Sequence, residues 1–378
     1  MERKMSSIKH RVGIIGLNHW YLAYPIMGYL IRREDIALDW ICSKDEQQLK
    51  QTADIYRVKK CTASYQEVLD DPAVDIVLVT TTTDLHDEVV IAAAKAGKHI
   101  LLGKPISKSL KGADKIIQAV KDSGVKAVGI AAGPDPGDPV YKLIKQSIIG
   151  KPYAAASSFR ARIPLKQPGV LEPGWFKEID RAAGGAFVDH AIYAATRLAL
   201  FFDSSVKTVY AQMDKMAHKD WEVEDYGVAM IRYQNGAIAT IESTIGAMQN
   251  SISHLSVTGT EGEIWSDDNE IRIVGSKPEY KTPVVYKKQS TNWIFNTVPD
   301  YYDPLAPLRS KSNDRSATFF DELLNAIDNG YQTLNTVENA RKGLEICLAA
   351  YKSADIGLPV ELPLKEDVDV KEILSRLR

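Results

Sequence analysis

Apolar and polar positions fall into two regimes along the chain. Through the first third, short apolar runs alternate with amphipathic segments. "RVGIIG" (11–16), "IALDWIC" (36–42), "DIVLVTTT" (75–82), "KHILLG" (98–103) and "VKAVGI" (125–130) are rich in aliphatic residues and read as strands. Between them, Ala23 to Arg33, "KDEQQLKQTADIY" (44–56), "LHDEVVIAAAKAG" (85–97) and "SLKGADKIIQAVKDSG" (109–124) read as helices, the last two stopped by Gly97 and Gly124. Strands joined by helices of this length predict a parallel sheet with right-handed crossovers. Residues 8 to about 131 therefore read as a doubly wound α/β domain.

The pattern then changes. "AAGPDPGDP" (131–139) is a Gly/Pro hinge, and the domains are expected to span 1–133 and 134–378. After a helix at "VYKLIKQSIIG" (140–150) come long alternating stretches at 153–163, 206–216, 225–247 and 251–275, the period of half-buried strands. "YQNGAIA" (233–239) holds an Asn-Gly pair between two of them, a hairpin signal. Two further helices, "RSATFFDELLNAIDNG" (315–330) and "TVENARKGLEICLAAYKSADIG" (336–357), complete an expected α+β domain with a large, mostly antiparallel sheet.

Composition narrows the function classes. The 378 residues are 45% hydrophobic and 25% charged, with a net charge of -2. That balance points away from nucleic acid and anionic membranes as partners. No apolar run reaches the length of a membrane span. "MERKMSSIKH" lacks the apolar core of a secretory signal. Cys42, Cys61 and Cys347 are scattered, with neither a disulfide framework nor metal-ligand spacing. A cytoplasmic protein without a metal is expected.

The first strand runs into a glycine turn, as a dinucleotide-binding unit opens. There, the first glycine makes the turn, the second admits the pyrophosphate and the third lets helix and strand pack. Here the loop reads Gly16-Leu17-Asn18-His19-Trp20-Tyr21, so only the first glycine is kept. Asn18 tolerates left-handed φ, so the turn can survive, and the helix N-terminus still offers amides to an anion. Tyr21 either pushes the helix outward or turns its ring sideways. After the second strand, Ser43 and Lys44 stand where an acidic residue would take a ribose hydroxyl. A hydroxyl and a cation suit a 2′-phosphate, favouring NADP over NAD; the alternative is that Asp45 or Asp39 takes the ribose.

Two further places carry chemistry. Lys104-Pro105 lies at the carboxyl end of a parallel strand, where open α/β sheets bind ligands. In "RAAGGAFVDHAIYAATRLALFF" (181–202), Asp189 and Tyr193 stand four apart and share a helix face, whereas His190 points about 100° away. Spacing alone favours a hydrogen-bonded core pair over a functional one.

The chain resembles the Gfo/Idh/MocA family of sugar and cyclitol oxidoreductases. The family's glycine loop, its "E-K-P" motif and its "GGG-x-x-x-D-x-G-x-H" motif read here as "VGIIGLNHWY", "GKP" (103–105) and "AGGAFVDHAIY" (183–193). "VTTTTDLHDEVVIAAAKAGKHILLGKP", "GWFKEIDRAAGGAFVD", "EDYGVAMIRYQNGAIATIE", "VTGTEGEIW" and "ENARKGLEICLAAYKSADIGLPVEL" also match, so the resemblance covers nearly the whole chain.

The resemblance implies an NAD(P)-dependent oxidoreductase moving a hydride at one carbon of a sugar, cyclitol or related polyol. Lys104 would hold the reacting oxygen, Asp189 would orient substrate and acid/base group, and Tyr193 occupies the family's catalytic His position, as in other Tyr-containing members. The phenol can exchange a proton if the neighbouring ammonium favours phenolate. Cofactor contacts would come from Gly16, Asn18, His19, Trp20, Ser43, Lys44, Thr81, Thr83, His86 and Lys104. Trp175 and His190 would join Lys104, Asp189 and Tyr193 around the substrate, with His190 packing a wall. A homo-dimer or homo-tetramer through the C-terminal sheet is also implied. The chain departs from the pattern at Gly103 for Glu, Thr82 for Pro, and "GIAAGPDPGDP" for an "N-x-R-F" segment. Those changes leave two rivals open: redox-assisted elimination or glycoside cleavage with a retained cofactor, and a non-catalytic ligand-binding descendant.

Overall fold

The computed structural model describes residues 8–161, 165–167, 170–246, 252–288 and 315–377. The basic stretch before Ile8, and parts of the alternating stretches at 153–163, 225–247 and 251–275, lie outside them. Six strands form a parallel sheet in the order β3-β2-β1-β4-β5-β6. They are β1 His10–Ile15, β2 Ile36–Cys42, β3 Lys60–Thr62, β4 Ile76–Val79, β5 His99–Leu102 and β6 Ala127–Gly129. β3, and the short helix Tyr65–Asp70 after it, are too brief to leave a periodic signal in the sequence.

Alternation sorts the strand side chains between two layers. Ile76 and Leu78 of β4 join one apolar cluster, and Val77 and Val79 join the other. The first cluster holds helix α1 (Trp20–Leu30). The second continues into the C-terminal domain.

That domain is built on a nine-stranded sheet, antiparallel except where Pro152–Arg160 pairs in parallel with Ile238–Thr244. The Asn-Gly hairpin is present: Tyr233 N–H donates to the Ala237 carbonyl at 2.9 Å and Gly236 takes φ +92°. Helix Val337–Ile356 packs on this sheet and on the helix Ile192–Phe202.

The helix Arg315–Asn329 behaves differently from expectation. It packs on the first sheet and on α1, not in the second domain. Its Ala317, Phe319, Phe320 and Leu323 are buried in the same cluster as Val12 and Ile14, each phenylalanine contributing about 2 kcal/mol. Asp321 accepts from Tyr29, and Asp328 pairs with Lys9 at 2.6 Å. No described helix is long and apolar enough to cross a membrane.

Candidate active site

The order β3-β2-β1-β4-β5-β6 reverses direction between β1 and β4, and a crevice opens at the strands' carboxyl ends there. Gly16 leaves β1 with φ +88°, and a Cβ on it would stand 2.5 Å from the Thr81 amide nitrogen. Only glycine fits this approach. Asn18 does not take positive φ, correcting the expectation that its tolerance rescues the turn: Gly16 alone carries the left-handed geometry. Thr80 then clamps the loop. Its carbonyl accepts from the Asn18 and His19 amides at 3.1 and 3.0 Å, and its hydroxyl donates to Gly16 O at 2.6 Å.

Lys104 follows β5 and precedes a cis Pro105. It is 2% exposed, and its Nζ donates to the Asp189 carboxylate and, at 2.7 Å, to the Asp189 carbonyl. The same ammonium lies 5.4 Å from the Tyr193 ring centroid and 5.8 Å from that of Tyr21. Burial pushes the Lys104 pKa down, and Asp189 opposes it. Burial would lift Asp189, but Lys104 and His190 together hold it below its ordinary value.

Asp189 sits on a single π-helical turn, Phe187–Ala191, that opens the helix Ile192–Phe202. His190 follows Asp189 on the same turn. Its Nε2 lies 3.1 Å from Asp189 Oδ2, and its ring packs 4.4 Å from Phe159. Burial lowers its pKa to about 4, so the ring is neutral near pH 7.

The rebuilt loop also settles where its aromatics go. Trp20 turns into the first-domain core at 2% exposure. Tyr21, for which the sequence left two orientations, brings its ring over Lys104 beside Trp175 and Phe176. His19 is fully buried, with Nδ1 2.8 Å from the Thr81 carbonyl and its ring edge-on to Trp175 at 4.9 Å. Burial drops its pKa to about 3. The neutral ring therefore donates from Nδ1 and keeps an acceptor lone pair on Nε2. His86 places Nδ1 2.8 Å from the Pro105 carbonyl and Nε2 3.3 Å from the Thr81 carbonyl; the neutral ring has one N–H, which the shorter contact assigns to Pro105.

Ser43 is buried at the end of β2 and Lys44 is exposed beside it. Asp45 caps the next helix through Gln48 N–H, and Asp39 pairs with Arg11 at 2.7 Å.

Sequence reasoning missed Glu224. It is fully buried, and it accepts from the amides of Gly185 and Phe187 at the entrance to the π turn. The only sequence signal is an acidic pair, Glu224-Asp225, heading an alternating strand.

Five buried polar atoms around the crevice have no partner among the described residues: His19 Nε2, Tyr21 Oη, Thr81 Oγ1, Thr83 Oγ1 and His190 Nδ1. Buried polar atoms are rarely left so, and their convergence fits a ligand with several donors and acceptors. With the Gly16 cradle, the residues present fit a dinucleotide running from Ser43 past Gly16 to Lys104. In this conformation Trp175 closes the cleft, donating from Nε1 to the Asn18 carbonyl at 3.4 Å. The cavity between Trp175, Phe176, Thr83 and Asp189 is about 10 Å³.

A doubly wound sheet with a polar constellation at its switch point, covered by an antiparallel-sheet domain, is the architecture of a two-domain oxidoreductase. The comparisons with known proteins make this specific. A family described as an oxidoreductase family with an NAD-binding Rossmann fold matches residues 10–130, and the GFO/IDH/MocA C-terminal domain matches residues 139–265. The chain belongs to the Gfo/Idh/MocA family of oxidoreductases. It is 28% identical to a myo-inositol 2-dehydrogenase of Thermotoga maritima, over 68% of this chain and 75% of that one. It is 24% identical to a scyllo-inositol 2-dehydrogenase (NAD(+)) of Bacillus subtilis, over 82% and 83%. Among solved structures, a levoglucosan dehydrogenase in complex with NADH superposes with TM-score 0.76 at 20% identity, covering 94% of this chain and 99% of that one.

Proposed function

We propose that this oxidoreductase acts on a sugar, cyclitol or related polyol and uses NADP in preference to NAD. The observation that carries the reading is the junction of Lys104, Asp189, His190 and Tyr193 at the switch point of the dinucleotide-binding sheet. The inositol dehydrogenases among its relatives support the substrate class. Ser43 and Lys44 support NADP, because Asp39 and Asp45 are engaged elsewhere.

A bound nicotinamide would exchange the hydride at the reacting carbon. Every other task falls to the chain. Lys104 holds the reacting oxygen and stabilises negative charge developing on it. Tyr193 passes the proton to that oxygen in reduction and receives it in oxidation. Asp189 keeps Lys104 cationic against burial. His19, Thr81 and Thr83 hold the nicotinamide half of the cofactor, and Ser43 and Lys44 hold the adenosine phosphate. Trp175 excludes water when the cleft is closed.

The C-terminal sheet supports a homo-oligomer. One register row runs Met230, Thr240, Ala156, Ser256, Trp265, Arg272 and Val285 across seven strands. Met230 and Val285 are about half exposed on it, at 51% and 46%. Sedimentation of the wild type and of a Val285→Asp variant tests this surface.

Titration calorimetry with NADPH and NADH tests the reading, with Lys44→Asp alongside. Binding of NADPH in preference to NADH, reversed in the variant, is expected. Failure of both nucleotides to bind, with none released on denaturation, would overturn it.

A further inference from the structure

We propose that Glu224 is a positioning residue for this reaction: its buried carboxylate staples the glycine turn at 184–187 and so fixes where Asp189 meets Lys104. The inference rests on the oxidoreductase reading above.

Glu224 stands at the foot of the strand Tyr226–Tyr233 and has no exposed surface. Its Oε2 accepts from the Gly185 amide at 2.9 Å, and its Oε1 from the Phe187 amide at 2.8 Å. The amide between them, Ala186 N–H, donates to the Glu224 backbone carbonyl at 2.9 Å. One residue therefore takes up three consecutive amides. Tyr351 Oη, from the helix Val337–Ile356, donates to Oε1 at 2.8 Å, and Ser243 Oγ donates to the Ala186 carbonyl at 2.7 Å.

The two glycines are the steric consequence. A Cβ on Gly185 would come within 1.9 Å of Glu224 O, and one on Gly184 within 2.1 Å of Tyr351 Oη. The turn is pressed against the Glu224 backbone and the Tyr351 hydroxyl with no room for a side chain. Asp189 N–H bonds to Gly185 O at 3.1 Å, so the residue that meets Lys104 hangs directly from the stapled segment. Lys104 itself is fixed by β5. The ion pair can form in one place only if the turn is held from the other side.

The staple carries charge. Burial lifts the Glu224 pKa to about 7, and the donors from Phe187, Tyr351 and Gly185 keep it from rising further. The ionisable groups facing it are Tyr351 and Cys347, both on Val337–Ile356. The turn 184–187 contributes no ionisable group, and on the strand side Asp225 is turned to the amides of 216–218. The Gly185 amide can also reach Tyr351 Oη at 3.2 Å, whereas the Phe187 amide relies on Glu224 Oε1, so protonation of Glu224 weakens the staple chiefly at Phe187 and the turn loosens there as the pH falls through neutrality.

The test uses Glu224→Gln and Tyr351→Phe in the full chain. Aspartate carboxyls are labelled with carbon-13, and the Asp189 signal is assigned by its loss in Asp189→Asn. We expect the Asp189 signal of the wild type to move with pH near 7, and that movement to vanish in Glu224→Gln. Turnover with myo-inositol as probe is expected to drop about 100-fold in Glu224→Gln with KM little changed, and by less in Tyr351→Phe. An Asp189 signal that titrates alike in both proteins overturns the proposal. This readout needs no substrate, so it fails separately from the oxidoreductase reading, which falls if no nucleotide binds.

Discussion

The ammonium of Lys104 donates to both the side chain and the backbone carbonyl of Asp189, a residue 85 positions later in the chain. A strand end in one domain and a helix start in the other meet at a buried ion pair. Removing either partner alone leaves an uncompensated buried charge, which costs about 3–5 kcal/mol. Lys104→Met and Asp189→Leu are each expected to lower stability by that amount in urea unfolding. The double variant is expected to be more stable than either single one. Turnover should fall about 100- to 1000-fold in Lys104→Met. Additive losses in the double variant would show that the pair is not coupled.

Gly16 and Gly97 make a matched comparison. Both have positive φ, +88° and +73°. A Cβ at Gly16 strikes the Thr81 backbone, whereas one at Gly97 meets nothing within 4 Å. Gly97→Ala is therefore expected to cost about 1 kcal/mol, from backbone strain alone. Gly16→Ala should cost more and also displace Thr81, weakening NADPH affinity by about tenfold or more. Equal unfolding midpoints for the two variants would remove the steric argument.

Trp175 must move before a nicotinamide ring can enter. It is 5% exposed, stacked 4.2 Å from Phe176, and the cavity beneath it is about 10 Å³. NADPH should therefore shift tryptophan emission to the red, and Trp175→Phe should abolish most of that shift. Trp175→Ala removes the side chain that competes for the cleft, so NADPH affinity should rise by about 1 kcal/mol. An undiminished shift in Trp175→Phe would place the moving tryptophan elsewhere.

Much of this was legible in the chain because the signals are local. β4 reads as a strand because Ile76–Val79 is aliphatic at every position, and Gly124 ends its helix because glycine takes φ +69° without strain. Lys104 could be singled out because a charge at the end of an apolar strand is anomalous. What stayed hidden depends on contacts between distant segments. The π turn at Phe187–Ala191 begins where Glu224 takes up the amides of 185–187, and no spacing within 183–193 encodes that contact. Arg315–Asn329 has the pattern of any amphipathic helix, and nothing in its residues says which sheet it covers. Tyr21 could be read as an obstacle to helix packing, but its position over Lys104 requires Trp175 and Phe176 from the other domain.

The three buried histidines of the crevice predict how stability responds to acid. Burial holds His19 at about 3, and His86 and His190 at about 4, against an ordinary value of 6.5. Each ring is neutral in the folded state and gains a proton on unfolding once the pH drops below 6.5. The unfolded state then binds more protons, so stability falls as pH falls from 6.5 towards 4. A shift of this size corresponds to about 3 kcal/mol per ring. Glu224 has the opposite sign. Its folded value of about 7 lies above 4.5, so it adds a comparable amount as pH falls from 7 to 4.5. Two rings' worth of loss remains, a large part of the roughly 5–15 kcal/mol that holds a domain folded. Urea unfolding from pH 7 to pH 5 should therefore show a steep decline. His86→Gln keeps a donor for the Pro105 carbonyl and cannot titrate, so its decline should be shallower by about one ring. A flat profile in the wild type would mean that these rings are not held neutral by burial.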